Sequence, residues 1–158
     1  MDDMTRLPAL TLADYQSRIG TELGLSEWLV VEQGMIDRFA DLTGDRQFIH
    51  VDPVRAAATP FGGTVAHGFL TLSLLGQLGF EMVPPLAGTA MIINYGFDKL
   101  RFLTPVRSGK RIRGRLSLLG VEAKGPAQHL MRYAVTVEIE GSEKPALAAE
   151  WLVMMVTG

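Results

Sequence analysis

The sequence predicts an α+β domain in which an antiparallel sheet packs against helices. Three observations carry this: the first half reads as short helices separated by turns, a nearly all-apolar helical segment closes that half, and the second half is a run of strands divided by glycines. In chain order, Thr11 is placed to N-cap a short helix through Leu12, Ala13, Asp14 and Tyr15. The β-branched and aromatic content of Ser26-Glu27-Trp28-Leu29-Val30-Val31 predicts a strand. Met35, Ile36, Phe39, Ala40 and Leu42 then recur at helical spacing. Gly44 stands where a C-terminal cap belongs, which puts Asp45 in a turn just past the helix. Asp52-Pro53 is a helix-start signature, an acceptor side chain followed by a residue of preset φ, so a short helix is expected over 54–58. Thr59-Pro60-Phe61-Gly62-Gly63-Thr64 reads as a loop. Residues 66–80 have helical length but almost no polar face, the pattern of a buried helix. After Pro84-Pro85, strands are expected at 90–97, 100–103, 110–119, 128–140 and 146–156, with Gly109, Gly120, Gly125-Pro126 and Gly141 as turns. In the fourth of these, Tyr133, Val135, Val137 and Ile139 alternate with polar residues, so one face is buried. One buried helix followed by a meander suggests a sheet curled around that helix.

Composition narrows the function classes. The 158 residues hold 15 Lys+Arg against 17 Asp+Glu, a formal charge of −2, and their length fits one domain over 1–158. That balance, with no broad basic run, argues against nucleic-acid binding. Arg111, Arg113 and Arg115 fall on one strand face, which reads as a solvated, charged surface or, alternatively, as a face for a phosphorylated ligand. The chain has no cysteine, which excludes disulfides, thiolate metal sites and a cysteine nucleophile. The only histidines are His50, His67 and His129, too few for a His-rich metal site, so no metal is expected. The longest apolar stretch, 65–80, is broken by glycines and polar residues and does not suit a membrane span. The acidic N-terminus lacks the features of a signal peptide, and a cytoplasmic location follows as the default.

Acid–base chemistry must therefore come from carboxylates and very little imidazole. The densest polar cluster runs from Thr43 to Asp52 and contains Asp45 and His50. On one continuous helix this pair would sit about 140° apart. Gly44 and Pro53 break the helix on either side, so the loop between can turn both groups into one pocket. A carboxylate beside an imidazole is a capable acid–base unit. The plainer alternative is that Asp45 only caps a turn. A second cluster, Pro60 to Phe69, runs from a Gly-rich loop into the buried helix, where unpaired helix-start N–H groups suit a carbonyl oxygen or developing oxyanion. Its spacing fits neither a P-loop nor a dinucleotide fingerprint. Ser73 lacks a nucleophile setting and is expected to bond back to its own helix.

Taken together the two clusters are familiar. Phe39-Ala40-Asp41-Leu42-Thr43-Gly44-Asp45-Arg46-Gln47-Phe48-Ile49-His50-Val51-Asp52, followed by Pro60-Phe61-Gly62-Gly63-Thr64-Val65-Ala66-His67-Gly68-Phe69-Leu70, closely resembles the MaoC-like dehydratases, or (R)-specific enoyl-CoA hydratases, and within them the NodN-like branch. Ser26-Glu27-Trp28, Asn94-Tyr95-Gly96-Phe97 and Arg101 to Val106 extend the match. The resemblance implies a hot-dog fold, a homodimer with each pocket near the subunit interface, and reversible syn addition of water to a trans-2-enoyl thioester in fatty-acid metabolism. Coenzyme A would enter as part of the substrate, with no further cofactor. Position by position, Asp45 and His50 match the catalytic dyad and Gly68 the N–H donor to the thioester carbonyl; Gln47, His67 and Tyr95 fall among the substrate-binding positions. Two departures stand out. Gln47-Phe48 replaces the commoner Asn-Pro, and Gly76 stands where some hydratases carry a serine on the central helix. Chain length is expected to depend on Phe48, Phe61, Leu72, Leu75 and Tyr95. Two other readings remain open on this fold: an acyl-CoA thioesterase, and a non-catalytic acyl-thioester-binding accessory protein.

Overall fold

A computed structural model describes residues 7–158; the acidic hexapeptide 1–6, on which the expectation about targeting rests, lies outside the described residues. Helix α1 (Leu12–Ser17) starts on a capping box, in which the Thr11 hydroxyl takes the Asp14 N–H and the Asp14 carboxylate takes the Thr11 N–H. It buries Tyr15, whose hydroxyl donates to the Pro84 carbonyl beneath the sheet. Two short strands follow, β1 (Glu22–Leu25) and β2 (Leu29–Val30). The continuous strand expected over 26–31 is therefore cut back to two residues. Ser26 is the reason, because its hydroxyl accepts the Gly114 N–H at 2.9 Å and takes the place of a ladder carbonyl. At β1, a Cβ on Gly24 would lie 2.6 Å from the Met82 carbonyl oxygen, so only glycine lets this strand come so close to the central helix.

Helix α2 (Gln33–Thr43) ends on Gly44 in the left-handed region at φ 80°. Then come α3 (Phe48–Val51), a turn of helix not expected from the sequence, and α4 (Pro53–Ala57), capped by the Asp52 carboxylate on the Arg55 N–H. The central helix begins at Gly68, two residues later than expected, and is divided at Leu74 into α5 (Gly68–Ser73) and α6 (Leu75–Met82). Its inner face buries Leu70, Leu74, Leu75, Leu78 and Met82. Ser73 bonds back to the Phe69 carbonyl, as its setting predicts. No helix of the described residues is long and apolar enough to cross a membrane.

Four long strands complete the sheet: β3 (Thr89–Phe102), β4 (Arg111–Gly125), β5 (Gln128–Ile139) and β6 (Leu147–Thr157). Every pairing is antiparallel, and the order is β1-β4-β5-β6-β3, with β2 also on β4. The expected strands 90–97 and 100–103 are one strand, irregular between Asp98 and Arg101 where Lys99 adopts φ 54°. Gly120, expected as a turn, lies inside β4 at a register shift, so the strand bends instead of ending. The alternation along β5 holds, with Tyr133, Val135, Val137 and Ile139 buried against the central helix. On the opposite face, Arg113 and Arg115 both bond Glu138, Arg115 also bonds Glu22, and Arg111 bonds Glu140. The sheet thus wraps one helix and leaves β3 as a free edge.

Candidate active site

The turn after α2 carries Asp45, whose side chain is exposed and accepts the Gln47 N–H at 3.4 Å. Turn-capping and availability to a ligand are therefore both features of this carboxylate. Gln47, also exposed, is the N-cap of α3, and α3 turns His50 inward to 8% exposure. The His50 Nδ1–H donates to the Val65 carbonyl at 2.6 Å, which fixes the tautomer and leaves the lone pair on Nε2. Gln33 ties this region together. Its amide nitrogen donates to the His50 carbonyl at 2.7 Å and to Asp37 at 2.9 Å, and its carbonyl oxygen accepts the Thr64 hydroxyl.

From the other side, the Gly-rich loop delivers His67 and Gly68. His67 is 2% exposed; its Nε2–H donates to the Asp45 backbone carbonyl at 2.9 Å. Its ring lies 3.8 Å from that of His50, inclined by 26°, and 5.0 Å from that of Phe39. One donor atom from each of Asp45, His50 and His67 lies within 4.8 Å of the others. The residue types would suit a transition metal, but one nitrogen of each ring already faces a backbone carbonyl, the His50 Nδ1 that of Val65 and the His67 Nε2 that of Asp45. The arrangement suits holding a small polar molecule and moving its protons.

Gly68 opens α5 directly after His67, and its N–H belongs to the first turn that a helix leaves unpaired. A cavity of about 280 Å³ borders it, lined also by Ala66, Thr71 and Phe102 to Val106. A larger cavity of about 660 Å³ lies farther along the same helix, between Gly76, Gly79 and Phe80 of α6 and residues 90–94 of β3, with Trp151 and Val153 beneath. The Trp151 Nε1–H is satisfied by the Asn94 side-chain oxygen at 3.2 Å, so the tryptophan offers the cavity an apolar ring. None of Phe48, Phe61, Leu72, Leu75 and Tyr95 is among its lining residues, and Leu75 faces the core. Side chains missing at Gly76 and Gly79 help make this space, and Gly76 on the expected buried helix was the available signal. Tyr95 is 61% exposed on β3, and no hydrogen bond or ring contact joins it to the Asp45–His50–His67 group. His129 lies on β5, away from the cluster.

The MaoC-like domain model matches residues 14–140. Nodulation protein N of Rhizobium leguminosarum bv. viciae is 52% identical over 147 residues, spanning 92% of this chain and 91% of that protein. The 3-hydroxyacyl-thioester dehydratase Z of Mycobacterium tuberculosis is 47% identical over 146 residues, 92% of this chain and 96% of that one. Among solved structures, the R-hydratase PhaJ1 of Pseudomonas aeruginosa is similar at 26% identity and a TM-score of 0.69, covering 91% of this chain and 86% of that one. The helix wrapped by an antiparallel sheet is accordingly the hot-dog arrangement of these hydratases. The chain belongs to the MaoC-like dehydratase family.

Proposed function

We propose that this protein is an (R)-specific enoyl-CoA hydratase, adding water reversibly and syn to a trans-2-enoyl thioester to give an (R)-3-hydroxyacyl thioester. The observation that carries this is the meeting of the exposed Asp45 carboxylate with the buried His50 imidazole, within 4.8 Å, beside a helix start at Gly68. A water held by the pair forms the C3–O bond and gives one proton to one of the two groups while the other delivers a proton to C2; the product gains OH and H, and transfer of the captured proton to the group that gave one up restores the pair. During addition, charge builds on the thioester oxygen, where the Gly68 N–H is the proposed donor. Gln47 contributes an amide at the mouth, and the acyl tail occupies the larger cavity. The thioester carrier, taken as coenzyme A, is part of the substrate, and neither a metal nor another cofactor enters the reaction. The working unit is a homodimer, in which Tyr95 on the free β3 edge reaches the neighbouring pocket.

A family containing both a thioester dehydratase and nodulation protein N supports the lyase reading while keeping an acyl-binding accessory role as the rival. The test is to mix the protein with enoyl-CoA thioesters of increasing length and follow enoyl absorbance, free thiol and product chirality. Loss of enoyl signal without thiol, yielding the (R) product, supports the proposal. Thiol release identifies a thioesterase, and no turnover at any length identifies a binder. Asp45→Asn and His50→Ala should each lower kcat at least ~100-fold; full activity in either variant rejects the dyad.

A further inference from the structure

We propose, resting on the hydratase reading, that His67 is a positioning residue that holds the acid–base pair and the oxyanion donor at one fixed separation. With 2% of its surface exposed it has almost nothing to offer a ligand directly, yet it touches every part of the site. Its Nε2–H holds the Asp45 carbonyl at 2.9 Å. The bonds that Asp45 makes within its own turn are longer, 3.4 Å to the Thr43 hydroxyl and 3.4 Å to the Gln47 N–H, so His67 is the shorter tether of that turn. Its ring stacks on His50 at 3.8 Å, and Phe39 of α2 packs against it at 5.0 Å. Its own carbonyl accepts the Thr71 N–H at 3.1 Å, so the residue that follows, Gly68, presents its N–H from a fixed helical turn.

A loop carboxylate and a helical imidazole from one stretch of chain, and a backbone amide from another, are thus tied to one residue: the His67 ring holds the first two, and its main chain carries the third. Only a flat ring with a donor at its far end makes both the stack and the tether. The choice leaves a polar atom without a partner, since the His67 Nδ1 is buried and finds no hydrogen bond among the described residues. A residue selected for stability alone would avoid that cost.

The test uses the intact protein with His67→Ala, His67→Phe and His67→Gln. Phenylalanine keeps ring volume and stacking without the donor. Glutamine places an amide N–H near the position of Nε2. Thermal melts establish folding, and Phe serves if Ala does not fold. With the enoyl-CoA that the wild type hydrates best, Ala and Phe should lower kcat roughly 100-fold with KM within about twofold, since a misplacement near 1 Å has that effect. Gln should recover about tenfold over Ala. Hydrogen exchange over residues 44–50 should quicken in Ala and return toward wild type in Gln. Unchanged kcat in a folded Ala or Phe variant overturns the proposal. A rise in KM alone also overturns it, assigning His67 to substrate contact, and Gln no better than Ala overturns the tether. If the wild type hydrates no enoyl thioester, the hydratase reading fails and exchange decides alone: quickening at 44–50 upholds the positioning role, and unaltered exchange rejects it.

Discussion

Gly68 allows the backbone's share of the chemistry to be separated from its structural role. It is the first residue of α5, where a helix tolerates proline because the N–H there has no intrahelical acceptor. The preceding His67 has ψ 140°, the extended conformation that a residue before proline prefers. Gly68→Pro therefore removes the proposed donor while leaving the helix its geometry. The atoms nearest to where a Cβ would sit belong to the Phe102 ring, at 3.1 Å, and that side chain is half exposed. Loss of one oxyanion donor should cost about 10²–10³ in kcat, with the melting temperature nearly unchanged; wild-type kcat in Gly68→Pro rules the amide out of the reaction. The individual roles were only partly legible in the sequence. Asp45 and His50 stood out as a carboxylate and an imidazole bracketed by Gly44 and Pro53. His67 reaches Asp45 across 22 residues and His50 across 17, and local spacing does not reveal either contact.

At the scale of elements, two predictions follow from pairs of packed segments. The larger cavity exists because α6 presents Gly76 and Gly79 to β3. A Cβ on Gly76 meets nothing within 4 Å, whereas one on Gly79 would press on the Trp151 ring at 3.0 Å. Gly76→Leu should thus fold normally and fill the space, lowering kcat/KM for long enoyl chains about tenfold or more while sparing crotonyl-CoA; equal effects on both lengths place the acyl tail elsewhere. The second prediction concerns the charged face of β4 and β5. Burial raises the Glu138 carboxyl, but the bonds from Arg115 and Arg113 outweigh it and leave the group below its ordinary 4.5. The Arg111 bond lowers Glu140 in the same direction. Carboxyls lowered by folding contribute stability that is whole above their unfolded value and is lost as pH falls through the folded one. Melting temperature should fall below about pH 4.5, and Glu138→Gln should flatten that fall; parallel curves for the two proteins reject the assignment. Helix ends and alternating strands were readable because caps and period-two burial are local. The cut at Ser26 and the bend at Gly120 were not, because each involves a partner strand distant in sequence, and the division of the central helix at Leu74 carries no local breaker.

For the molecule as a whole, the sheet has one long edge with no strand beside it. β3 pairs only with β6, and its residues 89–97 carry no charged side chain, the usual guard against edge-to-edge association. Met91, Ile93 and Tyr95 alternate outward at 53%, 45% and 61% exposure. Phe69 and Phe102 add an edge-to-face pair, 5.9 Å apart, where the strand passes the start of α5. An apolar edge of this length beside the candidate site suits a second copy of the chain, paired about a twofold axis so that each β3 covers the other. Such a pairing would bring the exposed Tyr95 of each copy to the shared edge. In solution the protein should therefore sediment at twice its 17.2 kDa chain mass. Ile93→Glu introduces a charge into the middle of the shared edge while leaving the inward-facing Ile92 and its core contacts intact. It should sediment at the single-chain mass and keep its fold by circular dichroism; because Ile93 also lines the larger cavity, loss of hydration alone does not report assembly. A wild-type monomer removes the paired-edge assembly. An active monomeric Ile93→Glu would instead show that one chain completes its own pocket, and the apolar edge would then need a different partner.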